Sequence, residues 1–358
     1  MKMADSTILA EYRKSIVTKI LFGLVGIVLL VTATLYALAV GSYYLPVADV
    51  VNILLLREAD TTAFNVIWNI RVPRILTALT AGAGLAVAGA AMQSILRNPL
   101  GSPFTLGISS AAAFGAAFAL GFLGAGVMTS SAAEAAIIIN NPYLVTICAF
   151  LSSLVATAVI LMLAQYKGAT PETMILTGVA LGSLFTAGTT FIQYFSDQVR
   201  IAAIVFWTFG DVGKTGWSDL AIIAAVTVPA LAYFIYNSWN YNVFKAGDET
   251  AKSLGVDVHR VRLFGMLISS LLTAVIVSFI GIIGFVGLVI PHIVRRFIGG
   301  NEIYLIPLSA ITGGLLLLAA DTLARTVIAP IVLPVGILTS FMGAPLFIYL
   351  VIKGRNYW

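Results

Sequence analysis

Residues 263–298 run LFGMLISSLLTAVIVSFIGIIGFVGLVIPHIVRRFI, and no Asp, Glu, Lys or Arg interrupts them before Arg295. A helix crosses the hydrocarbon core of a bilayer with about 20 residues. The stretch is long for one crossing and tight for two, and a second helix would have to extend through about Ile298. Gly281, Gly284 and Gly287 offer a place to turn. The side of the membrane on which Arg295 and Arg296 lie depends on which count holds.

Working outward, eight further intervals of at least 18 residues lack Asp, Glu, Lys and Arg: 20–48, 75–96, 98–133, 135–166, 173–196, 220–244, 303–320 and 326–352. Basic residues concentrate on the cytoplasmic side of membrane proteins, which tests the parity. With one crossing over 263–294, Arg295, Arg296, Lys353 and Arg355 fall outside. With two, 14 of the 20 basic residues are cytoplasmic and 6 are not. The expected fold is an all-α integral membrane protein of about ten transmembrane helices with both termini cytoplasmic. It forms a single domain over residues 1–358, whose longest cytoplasmic loop covers about 239–262.

Composition agrees. Hydrophobic residues make up 60% of the 358 and charged residues 10%, with a mean hydropathy of +1.02. Soluble domains carry about 25% charged residues. Lys2, Arg13, Lys14 and Lys19 precede the first apolar run, which is too long for a signal-peptide core and predicts a retained helix. The single Cys148 excludes an internal disulfide and fits a small buried side chain. A net charge of +5 reflects orientation, and no basic-aromatic patch points to nucleic acid. Many of the 32 glycines lie inside spans, as in Ala81-Gly82-Ala83-Gly84, where they let helix backbones approach closely.

No catalytic constellation is present. His259 and His292 stand too far apart for local metal-site spacing, and HExxH, GxSxG and CxxC are all missing. Gly213-Lys214-Thr215 resembles the end of a phosphate-binding loop, but position 208, where that loop needs its first glycine, is Thr208. Intramembrane acids are scarce, with Asp321 expected at a helix end and Glu134 in an outer loop, which disfavours an ion-coupled carrier. Energy must then enter from a partner, and the 239–262 loop is the natural port. Asp248 and Glu249 open a short helical turn that Gly255 can stop.

Three segments together resemble the FecCD-type membrane permeases of binding-protein-dependent ABC importers for iron-siderophores, haem and cobalamin. The first is Arg71-Val72-Pro73-Arg74 running to Gly89-Ala90-Ala91-Met92-Gln93, Arg97-Asn98-Pro99-Leu100-Gly101-Ser102-Pro103 and Leu106-Gly107-Ile108-Ser109-Ser110. The second joins Gly247–Val256 to Gly284-Phe285-Val286-Gly287-Leu288-Val289-Ile290-Pro291-His292-Ile293-Val294-Arg295. The third is Leu333-Pro334-Val335-Gly336-Ile337-Leu338-Thr339 with Gly343-Ala344-Pro345-Leu346-Phe347.

The resemblance implies a permease without enzymatic activity of its own, in the cell membrane, with ATP hydrolysis in a separate subunit and no cofactor or metal site. Implied partners are cytosolic ABC ATPases, an extracytoplasmic substrate-binding protein, a second permease copy in a homodimer, and the lipid bilayer. The implied cargo is an iron(III)-siderophore, with cobalamin or haem as alternatives; an ion-coupled secondary carrier is the rival of another class. By the same resemblance Arg71, Arg74 and Arg325 dock the binding protein. Gly247, Asp248, Glu249, Ala251, Leu254 and Gly255 form the helix that couples to the ATPase. Asn98 and Pro99 mark one part of a cytoplasmic gate, and Thr170 and Pro171 another, although 168–172 carries fewer hydroxyls than the family's gating loop. His292 belongs to a Pro-His motif shared across cargoes and is expected to be structural. Trp207 and Gly210 are expected in a short outer helix near the mouth, with the indole at the membrane interface.

Overall fold

The computed structural model describes residues 2–41, 43, 45–55, 61–128, 137–139, 141–166, 170–329 and 331–353. The chain opens with α1 (Lys2–Ala39). The short helices α2 (Val47–Leu54) and α3 (Thr61–Asn65) lead through a π-helical turn, Val66–Arg71, into α4 (Val72–Ile95). Next come α5 (Ile108–Gly121), α6 (Pro142–Tyr166), α7 (Pro171–Tyr194) and α8 (Gln198–Thr208). A 3-10 turn at Val212–Lys214 precedes α9 (Trp217–Tyr236), and α10 (Ser238–Phe244) and α11 (Asp248–Ser253) follow it. The last four are α12 (Val258–Ile280), α13 (Val286–Ile298), α14 (Glu302–Thr326) and α15 (Val335–Lys353). Two three-residue strands, Gly126–Met128 and Ile137–Ile139, pair antiparallel beside this bundle.

Among the described residues, seven helical segments are long and apolar enough to cross a membrane: within α1, across Thr61–Ile95, and in α6, α7, α9, α12 and α14. Their outward faces are apolar, with Leu176, Leu184 and Phe191 of α7 exposed. Such faces need lipid or another apolar surface beside them. In helices every backbone polar group is satisfied within the segment, which hydrocarbon requires. One sequence-derived interval comes out shorter than expected. Among the described residues of 98–133, the long helix is Ile108–Gly121, because Pro99 and Pro103 hold the chain in turns and Gly107 adopts φ +75 before α5 begins.

The 263–298 stretch forms two helices. α12 runs antiparallel to α4: Gly265 lies against Ile95, and Ile276 against Gly84. At Gly281 (φ +77) the helix stops, and residues up to Phe285 (φ +67) are non-helical. α13 then returns alongside α4, with Gly287 on Gly89 and Arg295 on Gln93. Its 13 residues span about 20 Å, short of the roughly 30 Å hydrocarbon core.

The buried α4 is the axis of the bundle, about 36 Å long for its 24 residues. Glycine permits two backbone contacts on it. A Cβ at Gly82 would overlap the Gly313 carbonyl of α14, and one at Gly89 would overlap the Gly287 carbonyl of α13. These contacts hold α13 and α14 against α4, so that α4 presents a charged cluster at each of its ends.

Candidate functional site

The first cluster surrounds α11. Gly247 (φ +100) turns the chain into this helix, and Gly255 (φ +82) turns it out. The Gly255 N–H donates to Lys252 O (2.9 Å) and the Val256 N–H to Ala251 O (3.0 Å), a Schellman cap with Gly255 in its left-handed position. Ala251 is fully buried, whereas Glu249 and Leu254 point away from the bundle. Lys252 donates to Glu249 (2.9 Å), and that bond raises the ammonium pKa above its ordinary value. Asp248 faces inward. Its carboxylate accepts from Arg262 at 3.0 and 3.1 Å and lies 3.2 Å from Arg97 Nη2. Of the six residues expected to couple, two therefore anchor, two present and two shape the turns.

Arg97 ends α4 in the same way that Gly255 ends α11. Its N–H donates to Ser94 O (3.3 Å) and the Asn98 N–H to Gln93 O (3.1 Å), with Arg97 at φ +45 where glycine is usual. The left-handed conformation costs a side-chain-bearing residue roughly 1–2 kcal/mol. Asn98 Oδ1 then accepts from the Leu100 N–H (2.8 Å), so Asn98 and Pro99, the two residues expected at the gate, form a turn directly after the Asp248 partner. Thr170 caps α7 by accepting from the Thr173 N–H (3.3 Å), and Pro171 is the first helical residue; Gly168 and Ala169 lie outside the described residues.

A neighbouring tie joins α4, α10, α13 and α14. Glu302 is fully buried with Lys245 Nζ at 2.7 Å and Arg295 at 3.9 Å, and Lys245 also donates to Gly300 O. Arg295 donates to Gln93 Oε1 (3.1 Å), and Gln93 donates to Leu288 O (3.1 Å).

The opposite end holds Arg71, Arg74 and Arg325. The sequence places them on an outer surface facing a partner, but the structure turns them largely inward. Arg71 is 4% exposed and donates to the carbonyls of Leu38, Ala39 and Tyr43, closing the C-terminus of α1. Arg74 forks onto Asp321 at 2.8–3.1 Å, with Asp211 at 3.8 Å. Arg325 lies 3.2 Å from Asp321 and donates to Ala37 O and Val40 O, both at 3.4 Å. Asp321 is not at a helix end: it is fully buried inside α14, five residues before Thr326. Arg71→Lys is expected to lose about 1–3 kcal/mol of stability, because one ammonium cannot reach all three carbonyls, and the bonds to Leu38 and Ala39 are buried. The thermal midpoint of detergent-purified protein measures this, and an unchanged midpoint would refute the capping role.

Sequence reasoning missed Asp321, Glu302, Gln93 and Arg262. Only Asp321 left a signal, as the sole acid between Glu302 and the C-terminus, with an arginine four residues on. Trp207 is buried inside α8 with its carbonyl against Gly281, so its indole is in the bundle and not at an interface. Between the α12–α13 turn and α15 lies a cavity of about 510 Å³, lined by Phe104, Phe209, Phe285, Phe341, Ile337 and Ser340. Among the described residues no three His, Cys, Asp or Glu side chains converge to hold a metal.

The FecCD transport family matches residues 29–353. An uncharacterised ABC transporter permease of Methanocaldococcus jannaschii is 57% identical, over 96% of this chain and 97% of its own length. The hemin transport system permease of Yersinia pestis is 37% identical over 81% and 84%. A solved structure described as the inward-facing conformation of an ABC transporter of metal-chelate type superposes with a TM-score of 0.79 at 32% identity, covering 94% of this chain and 99% of the other.

Proposed function

This chain belongs to the FecCD transport family, and we propose that it forms the path by which a metal chelate, most specifically an iron(III)-siderophore, enters the cell. It is a membrane permease and not an enzyme; ATP hydrolysis belongs to a separate subunit. The observation that carries the reading is α11. It is a capped single turn of helix that presents Glu249 and Leu254 outward and is clamped through Asp248 to two long helices. A presented, anchored turn of this kind suits the groove of a cytosolic ATPase. In this reading the α11 end is cytoplasmic, together with both termini. The short α5, α13 and α15 join the seven long segments to make ten crossings in the cell membrane, and a second copy completes the path.

The opposite end is the docking face for an extracytoplasmic binding protein. Arg71, Arg74 and Arg325 underlie that face, and their excess of one charge (three arginines against Asp211 and Asp321) suits an acidic partner. The cavity beside α15 offers phenyl rings and hydroxyls but no ligand for iron, which suits passage without capture. Haem and cobalamin are the alternative cargoes, and haem is favoured by the hemin relative.

Buried Asp321 and Glu302 are the features that favour ion-coupled carriage. Asp321 is held by Arg74 and Arg325, however, and Glu302 by Lys245, so both carboxylates have a structural role as ion-pair partners. The test is uptake by vesicles containing the permease with its cognate ATPase and binding protein. Uptake is expected to require ATP and to be blocked by vanadate, and Leu254→Asp is expected to cut recovery of the ATPase with the permease about tenfold. Gradient-driven uptake by the permease alone, indifferent to vanadate, would overturn the reading.

A further inference from the structure

Arg97 is where the coupling helix and the gate turn meet, and its surroundings give the two arms of the Asp248 clamp unequal strength. The Arg262 arm is buried. Its guanidinium lies 5.8 Å from the centre of the Phe244 ring and donates to both Asp248 oxygens. Separating such a pair exposes a charge that is out of water on one side. The Arg97 arm is a single 3.2 Å contact from a side chain 38% exposed, on a backbone held in the left-handed region at φ +45. Water can replace that contact at little cost.

Position 97 gains nothing from arginine as a helix stop, because glycine fills the same cap without strain. What arginine adds is reach. Its guanidinium extends over Gly247 to Asp248, where a Cβ on Gly247 would sit 4.0 Å from Arg97 Nη1. Asn98 follows immediately, and its side chain shapes the turn through Leu100. A displacement of α11 that keeps the Arg262 arm must therefore either pull the end of α4 and the Asn98–Pro99 turn with it or break the Arg97 arm.

We propose that Arg97 is a positioning residue for transport: its pair with Asp248 is a latch that transmits motion of α11 to the Asn98–Pro99 turn, while Arg262 keeps α11 fixed to α12 throughout. The proposal rests on the ABC-permease reading above.

The test uses the full permease reconstituted with its cognate ATPase. ATP hydrolysis is measured with and without the cognate binding protein as purified from cells, and the thermal midpoint of each variant is measured in parallel. Arg97→Gly is expected to keep the midpoint at or above wild type, to assemble with the ATPase and to retain basal hydrolysis. Stimulation by the binding protein is expected to fall about tenfold. Arg97→Lys, which can still reach Asp248, is expected to recover part of that stimulation. Full stimulation in Arg97→Gly would overturn the latch. A lowered midpoint or failed assembly in Arg97→Gly would also overturn it, by making Arg97 merely structural. If the wild-type complex itself shows no stimulation, the ABC-permease reading fails, and that result is separate from any behaviour of the variants.

Discussion

Asp321→Asn is expected to prevent stable accumulation of the protein, or to lower its stability by about 3–5 kcal/mol, because it strips buried Arg325 of its carboxylate and leaves Arg74 only Asp211 at 3.8 Å. The carboxylate is fully buried, accepts both forks of Arg74 and stands 3.2 Å from Arg325. Asparagine keeps the shape and removes the charge, so volume is not the variable. The loss should spread beyond the triad. Arg325 also serves the α1 carbonyls of Ala37 and Val40, and repulsion between Arg74 and Arg325, no longer offset, would draw Arg325 from them. The measurements are the amount of folded protein in the membrane fraction and the thermal midpoint after extraction. Combining Asp321→Asn with Arg74→Gln removes one of the stranded charges and is expected to restore part of the midpoint. A single variant as stable as wild type would mean that water already reaches the triad.

Gly89→Ala should be nearly as damaging, although it adds one methyl group. Its Cβ would fall inside the Gly287 carbonyl, a backbone group that no rotamer change can move aside. α13 must shift away from α4, and the Arg295–Gln93 bond lies on the same interface. Overpacking of this kind costs about 1–3 kcal/mol, and rigid backbone on both sides puts this site at the upper end. Gly216→Ala is the matched control. Nothing stands within 4 Å of its added Cβ and its φ is −104, so the cost should be confined to its N-cap position on α9, about 0.5–1 kcal/mol. Equal midpoints for the two variants would show that the α4–α13 contact is looser than the structure has it.

Both residues show where sequence reasoning stops. Gly89 is legible as a small residue in an apolar run, and runs of small residues predict close helix packing. Its partner, Gly287, is 198 positions later, and nothing in a single chain pairs them. Asp321 is legible as an isolated acid with an arginine one turn on, but its stronger partner, Arg74, comes from the far end of the sequence. The Gly247–Gly255 segment is more fully legible because its determinants are local. Gly247, the two acids and Gly255 define a capped turn within nine residues. That Asp248 turns inward while Glu249 turns outward could not be read, since the choice is made by Arg97 and Arg262 approaching from α4 and α12.

By itself, the sequence determined that this chain is helical and built for lipid. A charge deficit over the whole length admits no other solvent, and helices satisfy their backbones without a partner. It also favoured a turn within residues 263–298, because two crossings there put 14 of the 20 basic residues on one side, and the structure places the break at Gly281. The tertiary structure alone decided which charges are buried. Arg71, Arg74 and Arg325 are alike in sequence as arginines at helix ends. Folding brings the α1 carbonyls and Asp321 to them, and a guanidinium out of water takes the acceptors within its reach.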